Sequence, residues 1–138
     1  MKARAVHVIL KRCLGHRDGE SVLVVTDPPM EPRAREFLQH AQALGVDTTL
    51  ITMPVRQSHG EEPPRAVAEA LKTVPIAVLL TTRSLSHTTA RRDACEKHGT
   101  RVASMPGGWY RDGFGTPASF RSCFARSTLR LGTGTDFA

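Results

Sequence analysis

An open, mostly parallel α/β sheet of about four strands, with helices on both faces in a three-layer, Rossmann-like arrangement, is the fold this sequence predicts. Three observations carry it. Short apolar runs of strand length recur along the chain, at 22–26, 46–53, 76–82 and 101–105. The segments between them place apolar residues three and four apart, the spacing of an amphipathic helix. Glycine or proline stands at most of the junctions and punctuates the alternation.

In chain order, Ala5, Val6, Ile9, Leu10, Cys13 and Leu14 form the stripe of a first helix over residues 3–14, ended by Gly15. "VLVVT" (22–26) is a short run rich in β-branched residues and flanked by turn residues, consistent with a strand buried on both faces. After "DPPMEP" comes a second helix from Pro32 to Leu44, with Ala34, Phe37, Leu38 and Ala41 on one face and Gly45 at the left-handed C-cap position. "VDTTLITM" (46–53) is the second strand, "PVRQSHGEEPP" a loop, and "RAVAEALKT" (65–73) a short helix with Pro64 near its first turn. "IAVLLTT" (76–82) is the third strand, "SHTTARRDACEKHG" (86–99) a helix ended by Gly99, and "RVASM" (101–105) a fourth, shorter strand. The expected order places strand two outside strand one, with strands three and four on the other side.

The α/β unit spans residues 1–108. From Trp109 the composition shifts to Gly, Ser, Thr and Arg, and residues 109–138 read as an irregular tail with one short helix between Ser119 and Arg130. At 138 residues the chain suits a single core. No apolar run approaches the ~20 residues of a membrane span, and Lys11, Arg12 and His16 interrupt the amino-terminal apolar patch, so a cytoplasmic location without a membrane partner is expected. Cys13, Cys95 and Cys123 are widely spaced, odd in number and without a C-x-x-C pair, which fits reduced thiols. The net charge of +6 is compatible with nucleic-acid binding, but the arginines are scattered and only one Trp and one Tyr are present, so nucleic acid is a minor alternative.

Ligands of open α/β sheets sit beyond the carboxyl ends of the strands, near the point where strand order reverses. Three loops compete for that position: the one starting at Thr26-Asp27-Pro28-Pro29, Met53 to Pro63, and Thr81 to Thr88. The third is the best equipped. Ser86, His87 and Thr88 stand, just after Ser84, at the start of the helix, where they and the unpaired amides attract a carboxylate or phosphate, and Arg83 or Arg91 would add charge. The competing reading makes Ser86 a helix cap and leaves Arg91 and Arg92 in solvent. His87, Arg91, Cys95 and His98 share one helical face, but about 16 Å of helix separates the two histidines, so no single metal ion takes both. Only Cys95 and His98 could share one, and Cys95 is equally explained by packing on the sheet beside Ala94. His59, Glu61 and Glu62 form a second polar cluster that reads as a solvated loop, and Asp27 as a helix or turn cap. "TDPPMEP" has prolines where a G-x-G-x-x-G turn needs glycines, and no Walker loop, H-E-x-x-H or G-x-S-x-G motif occurs.

"CLGHRDGESVLVVTD" (13–27), "MPVRQSHGEEPPRAVAEAL" (53–71) and above all "TTRSLSHTTARRDACEKHGTRVASMPG" (81–107) together resemble the amino-terminal domain of the thermophilic metalloaminopeptidases, the aminopeptidase T-like leucyl aminopeptidases. The resemblance covers roughly residues 5–108. It implies an α/β domain, a dimer, and a larger catalytic domain in which Glu, His and Asp residues hold two divalent ions, zinc or cobalt. A related branch contains iron-dependent ring-opening dioxygenases. "GTDF" (134–137) resembles the start of a strand in the catalytic domain. No metal ligand or catalytic residue is carried over, and two-metal hydrolysis needs converging carboxylates and histidines that this sequence does not cluster. The expectation is a non-catalytic binding or oligomerisation module that takes a small anion or a peptide carboxylate at Ser84, Ser86, His87, Thr88 and Arg91. The enzymatic alternative is a metal-dependent leucyl aminopeptidase whose metal domain is missing or supplied by a partner.

Overall fold

Strand β1 (Val22–Thr26) is buried at every position, and it is the strand on which the sheet is built. It pairs in parallel with β2 (Thr48–Thr52) on one side and with β3 (Ile76–Leu80) on the other, and β4 (Arg101–Ser104) extends the sheet beside β3. The order is β2-β1-β3-β4, as the alternation of segments predicts. The computed structural model describes residues 2–106, so the tail, the helix expected between Ser119 and Arg130, and "GTDF" lie outside the described residues.

Period-two alternation divides the sheet into two apolar faces. Val22 and Val24 of β1 point with Ile76, Val78 and Leu80 of β3 and Ala103 of β4 into one core. That core is covered by α1 (Ala3–His7, continuing as π-helical turns over Val8–Cys13) and by α2 (Glu31–Ala43), which inserts Phe37. Leu23 and Val25 point with Ala77, Leu79 and Val102 to the opposite face, under α3 (Arg65–Leu71) and α4 (Thr89–His98). The helices change face where strand order reverses, because right-handed crossovers running in opposite directions from β1 must pass on opposite sides of the sheet.

The first helix differs from expectation in kind. Its carboxyl half has widened turns, with the Leu14 amide donating to the Ile9 carbonyl at 2.9 Å, five residues back. The stripe survives the change, and Val6, Ile9, Leu10, Cys13 and Leu14 all face the core. A short 3-10 turn, Pro28–Met30, precedes α2. Among the described residues no helix is long and apolar enough to cross a membrane.

Two ties fix the ends of the helices against the sheet. Gly99 ends α4 at φ 71°, a left-handed conformation that disfavours a side chain. The Oγ1 of the next residue, Thr100, then donates to the carbonyls of Leu71 and Val74 at 2.8 and 3.0 Å, which joins the end of α3 to the start of β4. On the other face, Arg101 Nη1 donates to the carbonyls of Leu14 and Gly15 at 2.7 and 2.9 Å, and Nη2 pairs with Glu20. The guanidinium thereby closes the carboxyl end of α1, where carbonyls lack helical partners.

Candidate functional site

The reversal of strand order lies between β1 and β3, so the crevice at their carboxyl ends is the place the fold offers a ligand. The backbone there is already cross-braced. Thr26 Oγ1 donates to the Leu80 carbonyl at 2.7 Å. Asp27 is fully buried, and its carboxylate accepts from the Thr82 backbone N–H at 2.8 Å and from Thr82 Oγ1 at 2.9 Å. This corrects the expectation of a capping role. Asp27 makes no side-chain bond to the short helix that follows it and instead ties β1 to the loop after β3. A carboxylate out of water is stabilised by such charge-assisted hydrogen bonds, so both oxygens hold the loop in register.

Residues 81–88 are supported from the preceding loop as well. His59 Nδ1 accepts from the Ser84 N–H at 2.9 Å, and the Ser84 carbonyl accepts from the Gly60 N–H at 2.8 Å. An acceptor Nδ1 requires the imidazole proton to sit elsewhere on the ring, which fixes the tautomer. Within the loop, Thr81 Oγ1 donates to the Arg83 carbonyl at 2.6 Å, and the Ser84 and Ser86 hydroxyls lie 3.0 Å apart. His59 and Glu62 are exposed, but they are not merely solvated, because both hold the loop or the helix behind it.

Helix α4 begins three residues later than "SHTTARR" suggests. Thr88, rather than Ser86, is the cap: its Oγ1 accepts from the Arg91 N–H at 3.2 Å and donates to the Leu85 carbonyl at 2.8 Å. The two amides in front of Arg91 are also taken. Glu62 Oε2 accepts from Thr89 N–H at 2.8 Å and Oε1 from Ala90 N–H at 2.9 Å. The anion expected at this helix start is therefore the chain's own carboxylate, held by free amides at the positive end of the helix dipole. Glu62→Ala should lower stability by about 1 kcal/mol in urea unfolding and speed amide exchange at Thr89 and Ala90. Thr88→Ala should cost a similar amount but leave exchange at Thr89 unchanged.

The five residues singled out by sequence separate into two groups. Ser84 and Ser86 are half-buried and His87 is exposed, so these three remain at the surface of the braced loop. Thr88 and Arg91 are buried. Of the two arginines expected in solvent, Arg92 is exposed, whereas Arg91 is only 6% exposed and turns toward Cys95, with Nη1 3.8 Å from Sγ. Burial pushes the Cys95 thiol above its ordinary value, against the opposing pull of the Arg91 charge and hydrogen bond. Cys95 packs on the sheet with Ala94, as its spacing allows, and His98 is exposed on the far end of the helix. Among the described residues no group of three or more His, Cys, Asp or Glu side chains is arranged to hold a metal ion.

Compared with protein-family models, with curated proteins and with solved structures, the chain finds no match in any of the three.

Proposed function

We propose that this chain is a binding module without catalytic chemistry of its own, of the kind that the amino-terminal domain of aminopeptidase T-like leucyl aminopeptidases represents. Its ligand face is the surface of loop 81–88, where Ser84, Ser86 and His87 present two hydroxyls and an imidazole. The observation that supports this reading is the bracing of that loop from three sides, by Asp27, His59 and Glu62 through the start of α4, at the point where strand order reverses. A loop held in one conformation loses little entropy when it binds, so polar groups on it give specificity at low cost. Hydroxyls and imidazole suit a carboxylate, and a short peptide with a free carboxyl end is the ligand class proposed.

The test is amide-resolved NMR with leucyl-glycyl-glycine as the probe. Shifts centred on residues 82–88, abolished in Ser84→Ala/Ser86→Ala, are expected. The absence of shifts, or their survival in the double variant, overturns the assignment of the face. Homogeneous protein given zinc or cobalt should release no leucine from leucine amide, and release would overturn the non-catalytic reading.

A further inference from the structure

Arg91 is a buried cation whose charge is not balanced within the described residues. The residue is only 6% exposed. Nε lies out of solvent with no hydrogen-bond partner. Among the described residues Nη1 reaches the Cys95 sulfur, at 3.8 Å, and no carboxylate forms an ion pair with the guanidinium.

Each of these conditions is unfavourable, and they reinforce one another. An arginine does not escape burial by losing its proton, so the charge stays. A desolvated, unpaired ion is strongly unfavourable even after relaxation. The backbone of Arg91 belongs to the first turn of α4, which contains no acidic residue, and there the helix dipole disfavours a cation. The Cys95 thiol supplies no counter-charge, since burial favours its neutral form.

We propose that Arg91 is the anchor of a second site, one for a small oxyanion, a carboxylate or a phosphate, between α4 and the sheet. With Nη1 turned to the thiol, the opposite edge of the guanidinium fork carries Nε–H, which is buried and without a partner, beside Nη2–H. Two parallel donors on that edge match two oxygens of one oxyanion. The residual 6% exposure suits an ion of a few atoms and not a polymer. The site stands apart from the loop face, because it uses none of the side chains at Ser84, Ser86 or His87.

Inorganic phosphate and sodium acetate are the probes, each titrated into the full chain against sodium chloride of equal ionic strength, with Arg91→Met and Arg91→Lys alongside. Wild type should gain roughly a few degrees in unfolding midpoint with at least one probe, saturably, as binding to the native state requires. Phosphate alone, acetate alone, or both then identifies which oxyanion the fork accepts. Arg91→Met should show none of this gain, which separates binding from the general stabilisation that excluded salts produce. Without oxyanion, Arg91→Met should unfold at the same midpoint as wild type or higher, since it removes an uncompensated charge and keeps the volume. Two results overturn the site: no gain in wild type beyond that in Arg91→Met, or an Arg91→Met protein that is markedly less stable or fails to fold. Ser84→Ala/Ser86→Ala should retain the full gain, so failure of the loop face and failure of this site are read separately.

Discussion

Replacing Asp27 with alanine should destabilise the domain by about 3 kcal/mol, because it removes a fully buried carboxylate that accepts two hydrogen bonds. The loss has two parts. The Thr82 N–H and hydroxyl are left without their acceptor, and the tie between β1 and the loop after β3 is lost. Asp27→Asn should cost less, about 1–2 kcal/mol. Its remaining oxygen still accepts from the backbone N–H, and the Thr82 hydroxyl can rotate to accept from the new amide. Urea unfolding of the three proteins, read at constant m, checks the ranking. Equal losses in both variants would mean that charge, and not hydrogen-bond satisfaction, is what the site requires.

Arg101→Ala should lower stability by about 2–3 kcal/mol at neutral pH, a value already reduced for the partial exposure of the Arg101–Glu20 pair. The guanidinium serves three acceptors, the Leu14 and Gly15 carbonyls and the Glu20 carboxylate, which no shorter or unforked side chain spans. Arg101→Lys should therefore recover only part of the loss.

The same pair makes stability depend on pH. Partial burial raises the Glu20 carboxyl, but the Arg101 bond, the Arg17 N–H and the charges of Arg101 and His16 outweigh it and hold the group below its ordinary value. A lowered folded-state value means that Glu20 contributes stability above the unfolded carboxyl pKa of about 4.3. That contribution is lost as pH falls below this value and through the folded one. Arg101→Ala should flatten this acid limb, so the gap between wild type and variant narrows from pH 6 to pH 3 in urea midpoints. A gap that stays constant over that range would show that the two carbonyls, and not Glu20, carry the effect.

What the sequence makes legible is what is repeated locally. β1 and β3 announce themselves because strands buried on both faces read as near-continuous apolar runs, and "VLVVT", up to its final threonine, and "IAVLL" do. The α2 stripe is legible for the same reason, and it ends within one residue of the expected Leu44. The braces of the site are not repeated and join distant segments: Asp27 with Thr82, His59 with Ser84, Glu62 with Thr89. A single carboxylate in a proline-rich loop looks the same whether it faces water or a helix start in another part of the chain. The cap of α4 is ambiguous for a different reason, since Ser84, Ser86, Thr88 and Thr89 all offer a hydroxyl within one and a half turns. Arg91 carries a local signal that charge conceals. It stands one residue from Ala90 and four from Cys95, both on the buried side of α4, and its position on the helix, not its polarity, decides where it lies.

The all-parallel pairing also governs how the chain reaches this fold. Val22 opposes Thr48 and Ile76, and Ile76 opposes Arg101, so a helix and its loops intervene before any strand meets its neighbour. No hairpin exists among the described residues to start the sheet locally. Loop-closure entropy is spent before the first ladder of hydrogen bonds forms, which places this chain among slower folders for its size. β1 takes part in two of the three pairings, and its synthesis precedes both partners. Emerging from the ribosome, it is an apolar strand without a ladder until β2 and then β3 arrive, and of the elements described α1, made before it, and α2, made before β2, can cover one of its faces in the interval.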